Sequence, residues 1–418
     1  MGRTLPGWRG WLVAALLLAP ASLGLFAAET WWRGGDSALR AEAPQSADYE
    51  ILTAYDPAQD YTPAERWQKV VSPELMGWFS EGLAEARARS ERLGTSALII
   101  IENGVVVDAW GKLDEHYQSR SMRKSFLSML FGRLVADGRL KLSDTLETLG
   151  IDDNSPLTAE ERQATLYDLL TSRSGVYHAA NFETSSMRRK RPERGSHPPG
   201  SFWFYNNWDF NALGTIYERA TGQSVFEAFR EEIAEPLQMQ HHRPEDTRYF
   251  HDEYSEHPAY RFSMQPFDLA RIGLLYLREG AWNGRQVVPR DWVALSTEAH
   301  VDLDRRGFHA GFGFMWWVGE DGFAAVGARG QRIFVMPERD LVIVHVVDTK
   351  DKDRRVRSGD IRGLLATILS AKREMRSQIA PSQGEVLPYA VTTRGIDGRG
   401  AYLDEWGCLV DEDCKLLA

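Results

Sequence analysis

Cysteine is nearly absent: the 418-residue chain has two, Cys408 and Cys414, both close to its C-terminal end. Two thiols cannot staple a domain of this size, although in an exported chain they could close one small loop. They also exclude a cysteine-based zinc cluster. The ten histidines show no H-E-x-x-H spacing, and His241-His242 is an adjacent pair rather than i, i+4. No metal and no cofactor is therefore expected. A positive surplus is missing too, with 49 Lys and Arg against 59 Asp and Glu and a net charge of −10, which argues against nucleic acid as a partner. No Gly-x-Ser-x-Gly elbow occurs, so the α/β-hydrolase route to an activated serine is not available. Nor does any repeat with a period of roughly 20 to 50 residues mark a solenoid or propeller.

What is present begins with an uncharged run from Gly10 to Ala28 that follows Arg3 and Arg9 and ends in Ala27-Ala28. Residues 1–28 read as a secretory signal, with an uncleaved membrane anchor as the alternative because the run is about long enough to span a bilayer. The expected location is outside the cytoplasm, periplasmic or secreted, with membrane association only through this segment. Residues 29–62 show no sustained period and read as a linker or arm. A single catalytic-sized domain is expected over 63–375, followed by a tail over 376–418. At 43% hydrophobic, the middle of the chain can bury a large core.

The stretch Ser121-Met122-Arg123-Lys124 places a hydroxyl and an amine three positions apart, one helical turn, on one face. That is a nucleophile with a candidate base beside it, at the start of a run from Phe126 to Ala136 that is apolar or small on nearly every side and reads as a buried helix. A helix start also leaves backbone N–H groups free to hold an oxyanion. The plainer alternative is an N-cap serine followed by a solvated lysine. Around this stretch, Ser96–Ile101 and Val105–Trp110 flank Asn103-Gly104 as a hairpin, and residues 72–91 read as a helix. Thr165 to Gly280 is mostly helical by period, interrupted by a polar loop over 181–200 that carries Arg188–Arg191. Phe312–Val318, Gly322–Ala328, Gln331–Met336 and Leu341–Val347 read as an antiparallel meander, closed by a helix over 358–372.

Some 80 residues after Ser121 stands Tyr205-Asn206-Asn207. Tyr205 can carry a proton between serine and leaving group, and Asn207 can hold a substrate amide or orient Lys124. An aromatic core patch around Tyr205 is the competing reading. Together with VADGRLKLSD, DLLTSRSGV (Asp168–Val176), DFNALGTIYERATGQS (Asp209–Ser224) and GLLYLREGAWNGRQVVP (Gly273–Pro289), these motifs resemble the serine β-lactamase-related family. That family includes class C β-lactamases, D-alanyl-D-alanine carboxypeptidases, family VIII esterases and nylon-oligomer hydrolases. The resemblance covers roughly residues 75–370. It implies an α/β (α+β), β-lactamase/transpeptidase-like fold, with an antiparallel sheet flanked by terminal helices and a mostly helical lobe over about 121–286. It also implies that Ser121 is the nucleophile, with Lys124 and Tyr205 moving protons. The family's third motif is altered: Ala328-Arg329-Gly330 replaces Lys-Thr-Gly or His-x-Gly. By position, the N–H of Gln331 is the expected second oxyanion donor, Gly330 is retained, and Arg329 is the expected stand-in for the missing Lys. The resemblance implies hydrolysis of a small linear amide or ester rather than β-lactam turnover, with a catalytically silent cell-wall peptide or partner binding protein as the alternative.

Overall fold

Five successive residues of one strand, Ala97–Ile101, are all buried, the pattern of a strand covered on both faces. That strand lies near the middle of a ten-stranded sheet. The computed structural model describes residues 48–351 and 356–372 and the backbone of 402–403 and 409–410. Residues 1–28, expected to be a signal or anchor, and Cys408 and Cys414 lie outside the described residues.

The chain enters through β1 (Tyr49–Leu52) and β2 (Trp67–Val70), then α1 (Ser80–Leu93), β3 (Ala97–Glu102) and β4 (Val105–Gly111). A short strand β5 (Tyr117–Gln118) leads into α2 (Met122–Ala136), α3 (Leu166–Leu170), α4 (Ser185–Lys190), α5 (Asn207–Thr221) and α6 (Val225–Phe229). Then come β6 (Thr247–Phe250), β7 (Ala259–Met264), α7 (Pro266–Leu277), the small hairpin β8 (Ala281–Trp282) and β9 (Arg285–Gln286), and α8 (Arg290–Ser296). The meander is β10 (Val301–Asp302), β11 (Gly311–Phe312), β12 (Trp317–Gly319), β13 (Gly322–Gly327), β14 (Gln331–Met336) and β15 (Leu341–Val346), and α9 (Ser358–Ser370) follows.

The large sheet runs β1-β2-β4-β3-β15-β14-β13-β12-β11-β10. Its closure is the antiparallel pairing of β3 with β15, Ile100 opposite Ile343, so segments before and after the helical lobe build one sheet. The expected helical lobe is inserted between them. α7 lies against β14 and β15 so closely that a Cβ on Gly273 would stand 2.5 Å from Val342 Cγ1. Every residue of α2 from Met122 to Gly132 is buried, and Phe126 meets Phe229 and Phe262 at ring separations of 5.9 and 5.8 Å. Helix α6 and strand β7 thus pack against α2.

Several expectations need correction. Residues 29–62 are not all linker: Tyr49–Leu52 adds an edge strand parallel to β2, and Tyr61 is buried with its hydroxyl accepting from Asp56 N at 3.0 Å. A four-residue edge strand carries too little period to read. β2 also pairs parallel to β4, so the sheet is antiparallel except at this edge. The segment 312–318 is not one strand, because Met315 takes φ 63° and Gly313 N bonds Trp316 O at 2.9 Å, folding it into a β11–β12 hairpin. Its apolar character comes from core burial of Phe314, Met315 and Trp316, not from strand pairing. The loop 181–200 contains α4, started by Thr184 accepting from Met187 N at 3.1 Å and anchored by buried Met187. Finally, the helical lobe contains a three-stranded sheet, β5-β7-β6.

Candidate active site

Arg120, immediately before the serine, has φ 51°, a left-handed turn that a side-chain-bearing residue adopts at some cost. Ser121 follows with φ −76° and ψ −8° and makes no side-chain cap, so its hydroxyl is not used up by the helix start. Lys124, one turn on and 2% exposed, donates from Nζ to Ser121 Oγ at 3.1 Å and to Tyr205 OH at 2.7 Å. The three groups expected from the motifs therefore meet at one amine.

Tyr205 reaches this point because of the segment that faces it. Ser172, itself at φ 60°, donates from Oγ to Phe204 O at 2.7 Å and accepts from Asn206 N at 2.9 Å. Asn206 caps α5 through Trp208 N and donates from Nδ2 to Val176 O (2.7 Å) and Asp209 Oδ1 (2.8 Å). Burial drives the Asp209 carboxyl well above its usual range. The aromatic reading of Tyr205 holds as well: its ring stacks on Trp317 at 5.7 Å and tilts against Phe210 at 5.0 Å. Packing fixes the ring and leaves the hydroxyl for Lys124. The ammonium position also lies over the Tyr205 and Phe210 rings, at 4.1 and 4.5 Å.

Beside Ser121 opens a cavity of about 280 Å³, with Arg120, Arg123, Asn207 and Ala328 on its wall. Its other side carries Phe182, Glu183, Met187, Phe250 and Arg261. Asn207, 3% exposed, donates from Nδ2 to Asn181 O at 3.4 Å, and its Oδ1 is buried without a partner.

The protein-family model described as Beta-lactamase matches residues 79–367. The chain belongs to the beta-lactamase family. Among curated relatives, an uncharacterised protein of Alkalihalophilus pseudofirmus is 24% identical over 296 residues, 61% of this chain and 84% of that one. Protein flp of Staphylococcus aureus is 25% identical over 159 residues, 36% of this chain, and the match spans only 31% of flp. Among solved structures, a putative 6-aminohexanoate-dimer hydrolase from Bacillus anthracis superposes with a TM-score of 0.51 at 20% identity, covering 68% of this chain and 80% of that one. At that identity the likeness establishes a β-lactamase/transpeptidase-like fold.

The altered third motif of this family member is the β13–β14 turn. Gly327 pairs with Gln331, and Ala328, Arg329 (φ 68°) and Gly330 (φ 112°) make the loop between them. A Cβ on Gly327 would stand 2.6 Å from Ser119 O and 3.1 Å from Arg120 Cβ, so this turn lies directly against the chain entering α2. The residue of this turn on the cavity wall is Ala328; Gln331, whose backbone N–H is the expected second oxyanion donor, is not on that wall. Gln331 is fully buried and clamps Val347, donating from Nε2 to its O at 2.7 Å and accepting its N–H at 3.0 Å. Arg329 does not line the cavity either: its left-handed backbone sends the guanidinium to the carbonyls of Asp351 (3.1 Å) and Thr349 (3.5 Å). Gly330 serves packing, since a Cβ there would be 3.0 Å from Val347 Cγ2, and its carbonyl accepts from His345 Nδ1 at 2.6 Å. The cations at the cavity, Arg120, Arg123 and Arg261, were missed. Arg123 sat in plain view inside the S-x-x-K motif, but only the pairing of β7 brings Arg261 to it.

Proposed function

We propose that this protein is a serine hydrolase that cleaves an ester or linear amide through an acyl-enzyme on Ser121. The observation that carries the reading is the bridging position of Lys124 Nζ, 3.1 Å from Ser121 Oγ and 2.7 Å from Tyr205 OH. As a neutral amine Lys124 accepts the Ser121 proton while Oγ attacks the carbonyl carbon. The C–O or C–N bond of the substrate then breaks, and the proton leaves through Lys124 or Tyr205 with the departing alcohol or amine. Water repeats the sequence: its oxygen attacks the acyl carbon, the carbon–Oγ bond breaks, and the proton returns to Ser121. Charge on the carbonyl oxygen is met by the N–H of Ser121, at the open start of α2, and by that of Ala328 in place of Gln331. Asn207 Oδ1 is free to accept an N–H from the substrate. The uncharged run at residues 10–28 supports an exported enzyme.

A fluorophosphonate probe tests the reading. It should add one label per molecule, located by peptide mass spectrometry on the peptide containing Ser121, and Ser121→Ala should abolish both label and ester hydrolysis. Labelling that persists unchanged in Ser121→Ala rejects the mechanism.

A further inference from the structure

The cavity beside Ser121 concentrates positive charge in a protein whose net charge is −10. Arg120, Arg123 and Arg261 all face it. Behind Arg261, Arg248 stands directly opposite in the β6–β7 register, a like-charge cross-strand pair that is unfavourable by itself. Both guanidinium groups lie over the Phe250 ring, Arg261 at 4.7 Å and Arg248 at 5.3 Å. Burial, and then Arg248, push Arg261 below its ordinary range, while burial, followed by Arg329 and Arg261, does the same to Arg120. The cations crowd one another. Among the described residues that line the cavity, Glu183 is the single carboxylate, and its Oε2 is turned to Arg191 at 3.6 Å.

On this wall Arg123 Nη1 and Arg261 Nε are buried with no partner in hydrogen-bond range, as is the acceptor Glu183 Oε1. Arg123 is 3% exposed; its other terminal nitrogen reaches Asn211 Oδ1 at 3.4 Å, and its guanidinium lies 4.4 Å from the Tyr260 ring centre. Most buried polar groups in folded proteins have a hydrogen-bond partner, because leaving one unpaired is unfavourable. The space they share is walled by Phe182 and Phe250, whose rings are 4.9 Å apart, and by Met187. A ligand that completes this wall needs a short apolar stem and an anionic end that accepts from planar guanidinium groups, which is the form of a carboxylate on a short alkyl chain.

We propose that the cavity selects a substrate whose acyl group ends in a carboxylate, held by Arg123 and Arg261 against the Phe182–Phe250 wall. The proposal rests on Ser121 being the nucleophile, and it places the selecting cations on α2 and β7 rather than on the β13–β14 turn.

The experiment compares the p-nitrophenyl monoester of glutaric acid with p-nitrophenyl valerate, which has the same chain length and no charge. The parent protein should favour the anionic ester by at least about tenfold in kcat/KM. Arg261→Gln should collapse that ratio, Arg261→Lys should recover part of it, and Arg261→Glu should invert it. Since the readout is a ratio within one protein sample, loss of folded protein does not move it. A parent that labels with fluorophosphonate on Ser121 but turns over valerate as well as the anionic ester overturns the carboxylate seat and leaves the hydrolase intact. If neither ester is hydrolysed and Ser121 does not label, the hydrolase reading fails. Calorimetric titration then decides the pocket alone: binding of glutarate but not of glutaramide, lost in Arg261→Gln, supports the seat, and absence of glutarate binding overturns it.

Discussion

Lys124 touches both oxygens of the site, so its replacement separates charge from proton transfer. Lys124→Arg keeps a cation but cannot give up its proton near neutrality. It should lose at least about 10²-fold in kcat/KM, as much as Lys124→Ala, the lower end of general-base contributions. Substantial activity in Lys124→Arg would reduce Lys124 to an electrostatic partner and pass the base role to Tyr205. Tyr205→Phe keeps the ring contacts with Trp317 and Phe210, so thermal stability should change little while kcat falls by about 10²-fold; a large drop in Tm with kcat intact would reverse that assignment. The meeting of Ser121, Lys124 and Tyr205 was legible because helical spacing and linear motifs bear on it directly. The roles assigned to Arg329 and Gln331 were not, because they depend on the register of one hairpin and on a single left-handed residue. A shift of a few residues around that turn decides whether Ala328 or Gln331 faces the serine.

The elements were easier to read than the loops that aim them. β3 and β4 announced themselves through Asn103-Gly104, and α2 through its apolar surface, because both signals are local. β1, β6 and β7 gave no such signal: short strands gain their stability from partners far away in sequence, and β7 carries Arg261 into the site only through pairing with β5 and β6. The contact of α7 with the sheet offers a test of how tightly these layers are set. A methyl on Gly273 meets Val342 Cγ1 at 2.5 Å and Ile333 Cγ2 at 2.9 Å. Gly273→Ala should therefore cost about 1–3 kcal/mol as overpacking, read from the urea midpoint. Val342→Ala in the same background should restore part of that loss, whereas strictly additive effects would mean the helix simply moves away.

Across the protein, acid should loosen the fold through buried imidazoles. Burial lowers His242, His257 and His345 to about 4, against an ordinary value near 6.5. Between these values the unfolded chain binds protons that the folded one refuses, so stability is intact above about pH 6.5 and declines as pH falls toward 4. Buried Asp268, whose carboxyl is raised, works in the opposite direction, so a single-site variant is the cleaner probe. His345 donates from Nδ1 to Gly330 O and accepts at Nε2 from Thr95 Oγ1 at 2.8 Å, a neutral tautomer in both contacts. His345→Asn keeps the donor but cannot titrate. Its Tm should be lower at pH 7.5 and fall less steeply than the parent's between pH 6.5 and 4.5, and parallel curves would acquit this histidine. The pairing of β3 with β15 has a further consequence, in the time the chain takes to be made. Their residues are about 240 positions apart, so at about 5–20 residues per second the first hairpin waits roughly 10 to 50 s on the ribosome for its neighbour. During that interval β3, apolar on both faces, has one edge open to strands of other nascent chains. Ala328 emerges about 200 residues after Ser121, so any reactivity at Ser121 that needs this turn is withheld until the turn has been made.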